Sequence, residues 1–140
     1  MANQSQPLRV LIVEDTAERQ EILTALYRAH AWVLVHTGRR AATLLRAYDF
    51  DIVSLDYNLA GDLDGAHVAR VLAASRNRDA RVIVHSLNPR GTAELARILP
   101  DAIVYPVSKM VRTNQHFKRL VAGLDKDGAS FDWLATREPR

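Results

Sequence analysis

Three short apolar runs in this chain each end in a side chain that can move protons or hold a cation. DIVSL, Asp51 to Leu55, ends in Asp56 and then a Gly/Asp-rich loop reaching Gly65. LRVLIV, Leu8 to Val13, ends in Glu14 and Asp15, and RVIVH, Arg81 to His85, ends in a histidine followed by Ser86. Carboxylates in such places ligate divalent cations or act as acids, bases or nucleophiles, and an imidazole changes charge near neutral pH. Each also has an ordinary alternative: Asp56 can merely cap its loop, and His85 can be a core histidine bonded to backbone.

The elements that must position these residues follow from the hydrophobic pattern. Strand-like runs cover Leu8 to Val13, Trp32 to His36, Asp51 to Leu55, Arg81 to His85 and Ala102 to Tyr105. Between them lie helical patterns from Thr16 to about His30, from Thr37 through Tyr48, from Ala66 to about Ser75 and from Thr92 to Leu99. A last one runs from about Asn114 to Leu124. Strict alternation of five strands and five helices predicts an α/β fold, a doubly wound five-stranded parallel sheet with helices on both faces. The common order for five strands is 2-1-3-4-5, which brings the ends of strands 1 and 3 together. Glu14, Asp15 and Asp56 then lie within a few ångströms, a repulsion that a cation would relieve. Three oxygen ligands at an open rim suit Mg²⁺ or Mn²⁺.

The surrounding loops supply further candidates. Asn88 and Gly91 in HSLNPRG can shape a loop whose N–H groups face phosphate at the start of the next helix, although turn-making explains them as well. Arg39, Arg40 and Arg90 can steer an anion or simply lie on the surface. His36 ends strand 2 near the rim. His30, His67 and His116 read as helix residues without identified partners, and Asp62 and Asp64 as turn residues.

Composition narrows the function classes. The 140 residues, 48% hydrophobic and 25% charged, fit one domain over 1–140, with its core at about 8–124 and a tail at 125–140. Phe131, Trp133 and Leu134 in that tail can pack back on the domain or dock on a partner. Absence of Cys excludes disulfides, thiolate metal sites and a Cys nucleophile, and fits a cytoplasmic protein. No run is long and apolar enough for a membrane span, and a net charge of +3 without a nucleic-acid-reading motif gives no reason to expect duplex binding.

The acidic pair after strand 1, Asp56 after strand 3 and Ser86 after strand 4 together resemble the receiver domain of two-component response regulators, over roughly Leu8 to Leu124. That resemblance implies Mg²⁺ on Glu14 and Asp15, the Asn58 carbonyl completing the shell, Asp56 as phosphoacceptor and Ser86 as switch hydroxyl. Receivers typically end strand 5 in Lys-Pro, but here Tyr105 precedes Pro106, and Lys109 three residues on is the nearest substitute. A cis peptide before Pro106 is also implied. EDTAER with Arg19, LDYNL at Leu55 to Leu59, Gly65 and HSLNPRG at His85 to Gly91 resemble, more specifically, the cyclic-phosphate processing receiver domains. Tyr57 and Asn58 replace the His and second Asp usual in that group's central motif.

Two functions are thereby expected. One is metal-dependent hydrolysis of a cyclic phosphate on a nucleotide or RNA end, with His85, Asp56 and Ser86 as catalytic candidates. The other is a phosphoacceptor module phosphorylated on Asp56. The expected partners are a small phosphorylated or cyclic-phosphate ligand and, on the second reading, a histidine kinase or other signalling protein. Neither a membrane nor duplex nucleic acid is expected, and the oligomeric state is open.

Overall fold

Valine, isoleucine and leucine fill the three central strands because a parallel strand covered by helices on both sides has no solvent face. The computed structural model, which describes residues 7–136, has five parallel strands in the order β2-β1-β3-β4-β5. They are β1 (Arg9–Val13), β2 (Ala31–Val35), β3 (Ile52–Leu55), β4 (Arg81–Val84) and β5 (Ile103–Val104). The doubly wound order expected from the sequence is therefore the observed one. β1, β3 and β4 are buried almost throughout, whereas β2 and β5 at the edges are largely exposed or half-buried.

The helices are α1 (Ala17–Leu26), α2 (Gly38–Ala47), α3 (Gly65–Ala73), α4 (Pro89–Ile98), α5 (Val107–Met110) and α6 (Asn114–Asp127). Period-two alternation sorts each strand between two cores. Val10, Ile12, Ile52 and Ile83 face α1 and α6 with Leu23, Leu26, Leu120 and Leu124. Leu11, Val13, Val53, Leu55, Val82 and Val84 face α2, α3 and α4 with Leu45, Val68, Leu72 and Leu95.

Three expectations need correction. α1 stops at Leu26 rather than near His30. That histidine lies in the following turn, where Nδ1 accepts from Leu8 N–H at 3.0 Å and Nε2 lies 3.2 Å from Asp125 Oδ1. α4 begins at Pro89 rather than Thr92, because Asn88 caps it by accepting from Gly91 N–H and proline suits a first helical position. The peptide before Pro106 is trans, as are all those among the described residues. The short α5 adds a turn that the alternation did not anticipate. None of the described helices is long and apolar enough to cross a membrane.

The tail packs back on the domain as two 3₁₀ turns, Gly128–Ser130 and Trp133–Thr136. Residues 137–140 of the predicted tail lie outside the described residues. Trp133 and Phe131 are buried, with rings edge-on at a centroid distance of 5.3 Å, and Trp133 meets Tyr105 edge-on at 5.4 Å. Leu134 stays exposed. Trp133→Ala should therefore destabilise the protein by about 3–5 kcal/mol through the cavity it opens, and Leu134→Ala by no more than about 0.5 kcal/mol. Urea unfolding of both variants checks this, and equal losses would contradict the packing.

Candidate functional site

Strand register sets three candidate side chains abreast. β1 pairs Val13 with Leu55 of β3, and β3 pairs Leu55 with Val84 of β4. The next residues, Glu14, Asp56 and His85, therefore leave the sheet side by side. The ladder continues one step to hold them: Asp56 N–H donates to Val13 O and His85 N–H to Leu55 O, each at 3.1 Å. Alternation then gives them a common face. Glu14 follows Val10 and Ile12, Asp56 follows Ile52 and Ser54, and His85 follows Ile83, all pointing toward α1 and α6.

Glu14 and His85 meet from the strands flanking Asp56, with His85 Nε2 2.7 Å from Glu14 Oε1. The other ring nitrogen, Nδ1, lies 2.9 Å from Ser54 Oγ. The imidazole is fully buried and engaged on both sides. It thus faces inward from the end of β4. Glu14 Oε2 accepts from Thr16 N–H at 3.0 Å, at the start of α1, where a negative charge is favoured by the helix dipole. Asp56 Oδ1 accepts from Tyr57 N–H at 2.8 Å, and Asp56 Oδ2 lies 3.3 Å from Arg19 Nη1.

Environment drives the two carboxyls apart. Burial, and then the charge of Glu14, push Asp56 above the ordinary aspartate range, against smaller opposing effects of His85, Tyr57 N–H and Ser86. Burial alone would raise Glu14 too, but the hydrogen bond and charge of His85, Thr16 N–H and Arg19 together hold it below the usual value. Carboxyls displaced in opposite directions favour different protonation states side by side.

Glu14, Asp56 and His85 each bring a ligand atom within 4.8 Å of the others, a two-oxygen, one-nitrogen set able to hold a divalent cation. Asp15 is not among them. It follows Glu14 by one residue in the chain and is exposed, accepting from Thr16 Oγ at 3.4 Å. Asn58 is exposed in the loop beyond Asp56, its Oδ1 3.5 Å from Asn88 Nδ2.

Ser86 is buried beside Asp56, and its hydroxyl accepts from Asn88 N–H at 3.1 Å. Asn88 Oδ1 in turn accepts from Gly91 N–H at 3.0 Å. In this structure the N–H groups of Asn88 and Gly91 are thus hydrogen-bonded within the loop, the second by the cap of α4. Gly91 is needed for another reason: a Cβ there would overlap the Tyr57 ring, whose hydroxyl donates to Glu94 Oε1 at 2.9 Å. That bond pushes the phenol up to about 12.

Among the basic candidates, Arg39 is held by Asp62 at 3.0 Å, while Arg40 and Arg90 are exposed. His36 is exposed, 2.8 Å from Gln20 Nε2, and Asp64 caps α3 through His67 N–H. Tyr105 lies away from the cluster, its hydroxyl 2.8 Å from both His116 Nε2 and Thr136 Oγ1, and Lys109 is exposed. Of the residues around the cluster and its loop, Ser54 and Glu94 are not singled out by the sequence, and Arg19 and Tyr57 stand there only as parts of motifs. Ser54 interrupts an otherwise apolar strand, which is the signal that could have found it.

A family model described as "Cyclic-phosphate processing Receiver domain" matches residues 9–101. No curated protein matches the chain. Among solved structures, the signal receiver domain of a signal transduction histidine kinase from Syntrophus aciditrophicus is 26% identical with a TM-score of 0.60, covering 84% of this chain and 92% of that one. The receiver domain of a sensor histidine kinase from Pseudomonas aeruginosa PAO1, with a magnesium ion coordinated in its active site cleft, is 22% identical with a TM-score of 0.62, over 84% and 99% of the two chains. The Mn²⁺-bound form of response regulator Rcp1 is 17% identical with a TM-score of 0.64, over 84% and 91%.

The opposed shifts predict opposed pH effects in metal-free buffer. Asp56 holds its proton more tightly folded than unfolded, so its contribution favours folding below the ordinary aspartate pKa and is lost as pH rises through the raised value. Glu14 does the reverse, contributing stability above the ordinary glutamate pKa that is lost as pH falls through its lowered value. At pH 7 with chelator, Asp56→Asn should therefore melt above wild type and Glu14→Gln below it. Thermal melts across pH check both signs, and an Asp56→Asn variant less stable than wild type would contradict the first.

Proposed function

The chain belongs to the family of cyclic-phosphate processing receiver domains, and on that premise we propose that it hydrolyses a cyclic phosphate carried on a nucleotide or an RNA end. The observation that carries this reading is the convergence of Glu14, Asp56 and His85 at the ends of three adjacent strands, their ligand atoms within 4.8 Å of one another and Ser86 beside Asp56. A water oxygen attacks phosphorus and one ring P–O ester bond breaks. Asp56 takes the proton of the attacking water and returns one to the departing oxygen, leaving a phosphomonoester and a free hydroxyl. Glu14 remains ionised beside it, and His85, bonded to Ser54 behind, holds the Glu14 carboxylate in place.

Glu14, Asp56 and His85 fit a divalent cation by charge and proximity. Such an ion would supply positive charge to the phosphate oxygens. His85 Nε2 would then exchange its hydrogen bond to Glu14 for the ion, and a nitrogen among the donors suits Mn²⁺ better than Mg²⁺, which prefers oxygen ligands only. Ser86 lies beside Asp56, where its hydroxyl can meet a phosphate oxygen.

A second reading, transient phosphorylation of Asp56 in signalling, is favoured by the Asp56 and Ser86 juxtaposition on a receiver fold. It is weakened by the end of β5, where Tyr105 is turned toward His116 and supplies no cation.

A panel of 2′,3′-cyclic and 3′,5′-cyclic nucleotides and cyclic-phosphate RNA ends, assayed with Mn²⁺ or Mg²⁺, tests the proposal. At least one member should be opened, and Asp56→Asn and His85→Ala should each lower the rate about a hundredfold or more. No turnover on the panel, or full activity in both variants, removes the hydrolytic reading. A long-lived adduct on Asp56 after incubation with acetyl phosphate, seen by intact mass, would then favour the phosphoacceptor.

A further inference from the structure

Two carboxylates buried side by side require a positive charge, and the side chain that provides it comes from α1. Arg19 Nη1 lies 3.3 Å from Asp56 Oδ2 and 3.7 Å from Glu14 Oε2, spanning the pair. No other Lys or Arg among the described residues forms an ion pair with either carboxylate. The end of β5 contributes no cation, because Tyr105 is turned toward His116 and Thr136, and Lys109 is exposed without an ion pair to the cluster.

Arg19 also sits where a cation is otherwise unfavourable. It occupies the first turn of α1, against the helix dipole, so its position makes electrostatic sense only because of the carboxylates it faces. Its side chain keeps 29% of its surface exposed, whereas Glu14 and Asp56 keep 0% and 2%. The guanidinium is thus the boundary between the buried cluster and solvent. Its remaining N–H groups donate to no described residue, and a guanidinium fork can hold a carboxylate on one edge and an anion on another.

We propose that Arg19 is the anion-contacting residue of this site. In the ligand-free protein it neutralises Glu14 and Asp56. When a divalent cation takes over that neutralisation, the guanidinium is released to bond a non-bridging oxygen of a phosphate standing over Asp56. The assignment rests on the reading that phosphate is received at Asp56, but it does not require that any bond be broken there.

Calorimetric titration of the full chain, first with Mn²⁺ and then with inorganic phosphate, separates these roles in wild type, Arg19→Gln, Arg19→Lys and Lys109→Ala. Arg19→Gln should bind Mn²⁺ severalfold more tightly, since the competing cation is gone, and its Mn²⁺-loaded form should bind phosphate at least about tenfold more weakly. Arg19→Lys, which keeps the charge, should retain part of the phosphate affinity and guards against a folding defect in the glutamine variant. Lys109→Ala should match wild type in both titrations. Unchanged phosphate affinity in Arg19→Gln, loss of it in Lys109→Ala, or no phosphate binding by Mn²⁺-loaded wild type would each overturn the assignment. Phosphate binding through Arg19 without turnover of any cyclic phosphate would leave it standing and remove only the hydrolytic reading.

Discussion

The parallel register of β1, β3 and β4 is the constraint on which the site depends. Pairing Val13 with Leu55 and Leu55 with Val84 makes Glu14, Asp56 and His85 neighbours across about 4.8 Å strand spacings. A slip of one residue in any of the three strands would turn its functional side chain to the opposite face and its apolar residues with it. The hydrophobic cores on both faces therefore fix the chemistry as firmly as they fix the fold, because no register can bury Ile12, Ile52 and Ile83 together and leave the three polar residues elsewhere.

Burial on this scale makes the polar network demanding. Glu14, Asp56, His85 and Ser54 are all removed from water, so each needs a partner within the cluster. His85 serves two of them, bonding Glu14 through one nitrogen and Ser54 through the other, and Arg19 spans the two carboxylates from outside. The unequal distribution of these partners separates the carboxyls: Thr16 N–H, His85 and Arg19 outweigh burial at Glu14, while burial and the charge of Glu14 outweigh the contacts of His85, Tyr57 N–H and Ser86 at Asp56. Two glycines allow the loops to close around this arrangement. A Cβ on Gly65 would overlap the Asp56 carbonyl, and one on Gly91 would overlap the Tyr57 ring, so α3 and α4 approach the end of β3 only because those positions lack side chains.

The end of β5 serves architecture instead of the site. Tyr105 inserts between His116 and Trp133, stacking on the first at 6.3 Å and meeting the second edge-on, and its hydroxyl reaches Thr136. A residue that could have faced the cluster is committed to anchoring the C-terminal turns. Positive charge then has to enter from α1, which is where Arg19 stands.

Fold class was legible in the sequence because it depends on periodicity alone: five short β-rich runs alternating with helical patterns admit few architectures. The polar residues at the ends of strands 1, 3 and 4 were legible for the same reason. Other features depend on how separate elements meet, which no local pattern encodes. The rotation of α1 decides that Arg19 faces Asp56, and the reach of two side chains across β3 decides that His85 meets Glu14 instead of solvent. Strand periodicity acts within one element and can be read from neighbours in sequence, whereas these contacts join residues 37 and 71 positions apart and exist only once both cores are packed.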